Sequence, residues 1–88
     1  MMEKKIEIYT TNACGYCVRA KNLLSRKGVK YTEIDVSYDA AERDRMTART
    51  GGRRSVPQIF IGEIHVGGSD ELSALDAKGG LDRLLVSA

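Results

Sequence analysis

The sequence predicts an α/β fold in which a four-stranded mixed β-sheet is flanked by helices. Segments with strand-like and helix-like patterns alternate in the order β-α-β-α-β-β-α, and a short helical pattern follows. The length of 88 residues suits one domain, which we expect to span residues 1–88. With no Trp and one Phe, its core must consist mainly of Ile, Leu, Val and Ala.

The first part of the chain has the pattern of a β-α-β unit. Residues 6–10 alternate and are rich in β-formers, which predicts a strand. From Cys14 the apolar residues recur three and four apart, which predicts an amphipathic helix that Gly28 ends. Residues 31–36 alternate again and predict a second strand. The two strands should be parallel, with a right-handed crossover between them.

A polar helix should follow over residues 40–50. Asp39 and Glu42 have the spacing of a capping box, with Asp in place of Ser or Thr. The apolar face of this helix is thin, which predicts light packing; it consists of Ala41, Met46 and Ala48.

The last part of the chain predicts a hairpin and two helices. Residues 56–61 and 64–66 read as antiparallel strands joined by a two-residue turn. Ser69 is expected to be the N-cap of the next helix, and residues 81–86 should form a short final helix. A parallel strand pair followed by an antiparallel hairpin, with helices on both faces, is the thioredoxin-like architecture. Ligand sites in such sheets lie beyond the strand C-termini, where Cys14 follows the first strand.

Composition and charge limit the classes of partner. The formal net charge of +2 argues against nucleic acid as a partner. Residues 1–5 show no apolar signal-peptide core, and no later run is long enough to span a membrane. The expected location is therefore the cytoplasm. In a reducing compartment a C-x-x-C pair is more often redox-active or metal-binding than a structural disulfide.

The two cysteines, Cys14 and Cys17, are placed for thiol–disulfide exchange. Cys14 should lie at a helix N-terminus, where free backbone N–H groups and the helix dipole favour the thiolate. Cys17 should lie one turn further on and face the protein body. Cys14 is thus the expected nucleophile with a lowered pKa, and Cys17 is the expected resolving thiol.

Three other roles are open to this cysteine pair. A structural disulfide would close a very short loop and would constrain the unfolded chain little. A structural zinc site needs four ligands, and beyond the two cysteines the chain offers one histidine, His65. An iron–sulfur cluster needs four thiolates, which two chains and an external thiol could supply. We therefore expect no metal site that is complete within one chain.

Several motifs carry a resemblance to a known family. They are Tyr9-Thr10, Cys14-Gly15-Tyr16-Cys17, Arg19-Ala20-Lys21, Ser55-Val56-Pro57-Gln58-Ile59-Phe60-Ile61, Gly67-Gly68-Ser69-Asp70-Glu71-Leu72 and Leu75-Asp76-Ala77-Lys78-Gly79-Gly80-Leu81. A C-x-x-C pair alone is a weak signal, whereas this set at these spacings is a strong one. Over nearly its whole length the chain resembles the glutaredoxins, and most of all the small bacterial dithiol class.

The resemblance implies a glutathione-dependent thiol–disulfide oxidoreductase that acts in cell redox homeostasis. Its substrates would be protein disulfides and glutathionylated thiols, with ribonucleotide reductase as a candidate at the level of the family. Glutathione would be the reductant, and the protein would act as a monomer. A third possibility, reduction by a thioredoxin reductase, is disfavoured by the Gly-Gly-Ser-Asp turn at residues 67–70.

The resemblance also implies a glutathione groove. Val56 and Pro57 would form one wall, with a cis peptide bond between them, and the Val56 backbone would pair with the cysteine of glutathione. Tyr16 would flank the groove. The γ-glutamyl end would be received by Gly68, Ser69 and Asp70.

Two departures from the family pattern bear on function. Thr11 stands where the family usually has a Lys that holds the glycyl carboxylate of glutathione. Gly15 stands where the commonest dithiol motif has Pro. Some glutaredoxins with a small residue there bind a 2Fe-2S cluster between two chains, and Cys14 would then be the ligand. The candidate substitutes for the missing Lys are Arg49, Arg53 and Arg54.

Overall fold

The computed structural model describes residues 4–86. Its elements follow the predicted order β-α-β-α-β-β-α with a short final helix. They are β1 (Ile6–Thr10), α1 (Gly15–Arg26), β2 (Thr32–Asp35), α2 (Ala40–Arg49), β3 (Gln58–Ile61), β4 (Ile64–Gly67), α3 (Ser69–Ala77) and α4 (Gly80–Val86). Within the described range, every helix is too short or too polar to cross a membrane.

The four strands form one mixed sheet in the order β2-β1-β3-β4. β1 pairs with β2 in parallel, with Thr10 opposite Asp35, and with β3 in antiparallel, with Tyr9 opposite Gln58. β3 and β4 form the predicted antiparallel hairpin. The C-terminal ends of β1, β2 and β4 therefore meet the start of β3 at one edge of the sheet. This edge carries Cys14 in the loop before α1, Cys17 in the first turn of α1, Pro57 and the start of α3.

Each face of the sheet has its own apolar cluster. The larger cluster joins the strands to α1, α3 and α4 through Ile8, Leu24, Ile59, Leu72 and Leu81, all fully buried. The smaller one, on the α2 face, contains Tyr9, Val36, Met46 and Phe60. The buried members of the larger cluster are Ile and Leu, with one Ala, in line with the composition.

One local prediction was wrong, and one was confirmed with fewer residues than expected. Ser69 is not the N-cap of α3, because Gly68 occupies that position and the Glu71 carboxylate accepts its N–H. Ser69 is instead the first helical residue, and its buried Oγ has no partner among the described groups. The apolar face of α2 is also thinner than expected. Met46 is fully buried, but Ala41 and Ala48 are exposed, so α2 contacts the sheet through few apolar side chains.

Candidate active site

Cys14 is the N-cap of α1. Its backbone is extended (φ −110°, ψ 105°), and its Sγ accepts a hydrogen bond from the backbone N–H of Cys17 at 3.1 Å. The Cys14 carbonyl accepts from the N–H of Val18 at 3.1 Å, which closes the first turn of the helix. The side chain remains partly exposed. A sulfur in this position faces backbone N–H groups and the positive end of the helix dipole.

Cys17 lies one turn into α1 and is 1% exposed. Burial, followed by the hydrogen bond with Cys14, raises the pKa of Cys17 to about 12. Cys17 is therefore a protonated thiol near neutral pH. The structure thus places two cysteines of unequal chemistry in one turn, with the accessible sulfur first.

A shallow cleft of about 150 Å³ opens between α1, the loop before β3 and the start of α3; we call it the α3 cleft. The peptide bond between Val56 and Pro57 is cis, as the resemblance implied. The cleft brings together all six residues that the resemblance implied for the wall of the glutathione groove, its flank and the site of the γ-glutamyl end. The lining residues are Tyr16, Arg53, Ser55, Val56, Pro57, Gly68, Ser69, Asp70 and Glu71.

One of the three candidate arginines, Arg53, lines the α3 cleft. Its guanidinium donates two hydrogen bonds to the Glu71 carboxylate, at 3.0 and 3.1 Å. The bond from Arg53, then that from the Gly68 N–H, lowers the pKa of Glu71. The cleft therefore contains an ion pair whose cation is partly exposed, with 41% of the Arg53 side-chain surface accessible.

The other two arginines point elsewhere. Arg49 donates to Glu7 at 2.8 Å, and its guanidinium carbon lies 3.8 Å from the centre of the Phe60 ring on the α2 face. Arg54 donates to Asp44 at 3.0 Å. Neither lines a cleft next to the cysteines.

A second cleft, of about 450 Å³, lies on the β2 side of the cysteine turn; we call it the β2 cleft. Thr11 lines this cleft beside Cys14, so the structure separates Thr11 from the other predicted groove residues. The remaining lining residues are Asn12, Ala13, Gly15, Cys17, Val18, Lys21, Glu33 and Asp35.

The β2 cleft contains a polar network that sequence reasoning did not assemble. Glu33 accepts hydrogen bonds from Thr10 Oγ1 at 2.7 Å and from Lys21 Nζ at 3.0 Å. These bonds, with that from Thr10 the larger contributor, lower the pKa of Glu33. The available signal was the position of Lys21 four residues after Cys17, which places both on one face of the helix.

His65 lies on β4, away from the cysteines. Its Nε2 is 2.7 Å from Gln58 Oε1, and its ring stacks on Phe60 with centroids 4.8 Å apart. Burial, then the charge of Arg53, lowers the pKa of His65. Over residues 4–86, no three His, Cys, Asp or Glu side chains are grouped as metal ligands.

Comparison with known proteins gives consistent matches. The glutaredoxin family model matches residues 6–66. Glutaredoxin 3 of Escherichia coli (strain K12) is 56% identical over 80 residues, which cover 91% of this chain and 95% of that protein. The solution structure of glutaredoxin from Brucella melitensis matches with a TM-score of 0.82 and 51% identity, covering 94% of this chain and 89% of that one. The crystal structure of a buckwheat glutaredoxin–glutathione complex matches with a TM-score of 0.84 and 30% identity, covering 93% and 76%.

Proposed function

Since this chain belongs to the glutaredoxin family and is a thiol oxidoreductase, we propose that it reduces protein disulfides and glutathionylated thiols with glutathione as reductant. The main support is a single arrangement. A partly exposed Cys14 at a helix N-terminus shares one turn with a buried Cys17 and with Tyr16, and Tyr16 lines the cleft formed by the residues expected to bind glutathione.

In the proposed reaction, the substrate is a protein thiol joined to glutathione by a disulfide bond. The Cys14 thiolate attacks the glutathione sulfur of this bond. A Cys14–glutathione disulfide forms, and the protein leaves as a thiolate. A second glutathione thiolate then attacks this mixed disulfide, which yields glutathione disulfide and regenerates Cys14. With a protein disulfide as substrate, Cys17 attacks the mixed disulfide instead and releases the substrate. This second route requires Cys17 to lose its proton.

The α3 cleft suits a glutathione moiety attached to Cys14. The Val56 backbone would pair with the cysteinyl peptide of glutathione like an added strand. The γ-glutamyl carboxylate would meet the N–H of Ser69 at the start of α3, next to Gly68, whose own N–H donates to Glu71, and its amine would meet the Asp70 carboxylate. Tyr16 would cover the side of the ligand.

For the glycyl carboxylate of glutathione we propose Arg53. Of the three candidate arginines, it is the one that lines the α3 cleft, and Glu71 holds its guanidinium with two hydrogen bonds. A guanidinium has five N–H donors in its plane, so it retains further donors when one edge is paired with a carboxylate. A second carboxylate can therefore bind to another edge. Thr11 would contact a ligand near the sulfur, from the β2 side.

We further propose that the protein works as a cytoplasmic monomer on disulfide-containing or glutathionylated protein partners. The test is a coupled assay with a glutathionylated peptide, comparing glutathione plus glutathione reductase with thioredoxin reductase as the source of electrons. Turnover should require glutathione. Turnover with thioredoxin reductase alone would contradict the proposal.

A second candidate function is a 2Fe-2S cluster dimer with Cys14 and glutathione as ligands. The observation that favours it is open space at Gly15, where an added Cβ would meet no atom within 4 Å. A partner chain could therefore approach this turn closely. The test is a visible spectrum and an elution volume after anaerobic reconstitution with iron, sulfide and glutathione. A coloured dimer would support this function, and a colourless monomer would contradict it.

A further inference from the structure

The resolving step poses a chemical difficulty that the α3 cleft does not address. Cys17 must become a thiolate before it can attack a mixed disulfide on Cys14. Its 1% exposure removes the water that would stabilise this negative charge. Something else near Cys17 must therefore favour the thiolate when the step occurs.

The β2 cleft places one cation beside this thiol. Among the described residues that line the cleft, the ionisable groups are Cys14, Cys17, Lys21, Glu33 and Asp35, and Lys21 alone carries positive charge. Cys14 and Lys21 face Cys17 from α1, and Glu33 and Asp35 face it from β2. The backbone of Thr11 adds a hydrogen bond to Cys17 from the loop after β1.

Lys21 is held in this place by Glu33 on β2, and Thr10 on β1 holds Glu33 in turn. Its Nζ donates to Glu33 Oε2 at 3.0 Å, and the same oxygen accepts from Thr10 Oγ1 at 2.7 Å. The hydrogen bond to Glu33 raises the pKa of Lys21, so the ammonium stays charged. The charge of Lys21 in turn acts to lower the pKa of Cys17, against the larger effect of burial.

We propose that Lys21, held by Glu33, is a positioning residue that stabilises the Cys17 thiolate while this sulfur attacks the mixed disulfide. This inference rests on the proposed dithiol reaction. In the step, Cys17 passes its proton out to solvent through the β2 cleft, which its side chain lines. Its sulfur forms a bond to Cys14 Sγ as the bond between Cys14 and the substrate sulfur breaks. The substrate leaves as a thiolate, and the two cysteines have supplied two electrons.

Glu33 is not the base in this account. Its two hydrogen bonds stabilise the carboxylate and make it a weak proton acceptor. Its role is to fix the ammonium of Lys21. Removing the positive charge of Lys21 should destabilise the Cys17 thiolate, whereas removing the negative charge of Glu33 should stabilise it. Either change breaks the same ion pair, so the sign of the effect distinguishes charge from structure.

In the test, the reduced protein is mixed in a stopped-flow instrument with an aromatic disulfide that releases a coloured thiolate when it is reduced. The absorbance of this thiolate is followed with time. Cys14 releases the first equivalent of coloured thiolate, and Cys17 releases the second as it resolves. In Lys21→Met the second phase should be roughly three- to tenfold slower, which corresponds to a pH–rate profile displaced upward by about half a pH unit to one unit. Lys21→Arg should restore most of the rate.

Two controls separate this effect from a structural one. Arg26→Met removes the same charge from an exposed position in the last turn of α1 and should leave the second phase unchanged. Glu33→Gln keeps a side-chain oxygen that can accept from Lys21 but removes the negative charge, so it should leave the second phase unchanged or faster. Equal slowing in Lys21→Met and Glu33→Gln would overturn the proposal, as would an unshifted pH profile in Lys21→Met.

The same experiment distinguishes failure of this inference from failure of the proposed function. If the wild-type protein releases one equivalent only, Cys17 does not resolve and the dithiol reaction itself is wrong. If the wild type releases two equivalents and Lys21→Met does so at the same rate, only the role of Lys21 is wrong. Glutathione is absent from this assay, so its outcome does not depend on glutathione binding.

Discussion

The α3 cleft and the β2 cleft both include residues of the first turn of α1, yet they are built from different groups. The α3 cleft offers the backbone around Pro57, the start of α3 and the Arg53–Glu71 pair. The β2 cleft offers side chains that meet from α1, β1 and β2. This difference suggests a division of work, in which one cleft binds a ligand on Cys14 and the other adjusts the charge state of Cys17.

The largest expected effects come from the cysteines between the two clefts. Cys14→Ser should abolish reduction of both glutathionylated peptides and protein disulfides, since the attacking sulfur is lost. Cys17→Ser should lose protein-disulfide reduction but keep removal of glutathione, which needs one thiol. Steady-state rates on the two substrates measure both effects. Turnover of the glutathionylated peptide by Cys14→Ser would contradict the assigned roles.

Adjacent arginines test the α3 cleft. Arg53→Met should raise KM for a glutathionylated peptide about five- to tenfold, as expected for loss of one partly exposed charged hydrogen bond of about 1 kcal/mol. Arg54→Met is the matched control, because Arg54 pairs with Asp44 outside both clefts. Similar KM values in the two variants would remove Arg53 from the binding site.

Stability at alkaline pH tests the burial of Cys17. Burial raises its pKa from 9.0 to about 12, so between these values the unfolded chain has lost a proton that the folded protein retains. This stabilising contribution is present below about pH 9 and is lost as the pH rises. The free energy of unfolding should therefore fall by about 1.4 kcal/mol by pH 10. Denaturant unfolding of the reduced protein should show this fall, and Cys17→Ala should not. Identical pH dependence in both would contradict the buried, protonated thiol.

The smallest effect concerns the turn itself. Gly15 is the first residue of α1, a position that Pro favours, and the extended backbone of Cys14 before it is compatible with a following Pro. Gly15→Pro should therefore stabilise the protein by about 0.5 kcal/mol through a less flexible unfolded chain. Thermal unfolding measures this. A lower melting temperature would show that the turn needs glycine.

Six residues that the sequence grouped together line the α3 cleft, and five of them form two short segments at element ends. Val56 and Pro57 lie immediately before β3, and Gly68 to Asp70 lie at the start of α3, so correct element order places them together. The positions of the arginine side chains were harder to predict, because the chain after α2 turns at Gly51 and Gly52, both with positive φ. The direction of each arginine after such a turn depends on its partners.

The β2 cleft and the cap of α3 show what the sequence pattern could not decide. Glu33 meets Lys21 only because the parallel register sets it opposite Ile8, next to the buried end of β1. Spacing along the chain contains no information about that register. The prediction that Ser69 is the N-cap of α3 was wrong because the helix begins one residue earlier than expected, with Gly68 as the cap. Glu71, three residues after Gly68, accepts the Gly68 N–H.

The most direct test of the division between the clefts measures two quantities on Arg53→Met and Lys21→Met. The first is KM for a glutathionylated peptide, and the second is the rate of the resolving phase with the aromatic disulfide. We expect Arg53→Met to raise KM and leave resolution unchanged, and Lys21→Met to slow resolution and leave KM unchanged. If each variant altered both quantities to a similar extent, the two clefts would not have separate functions.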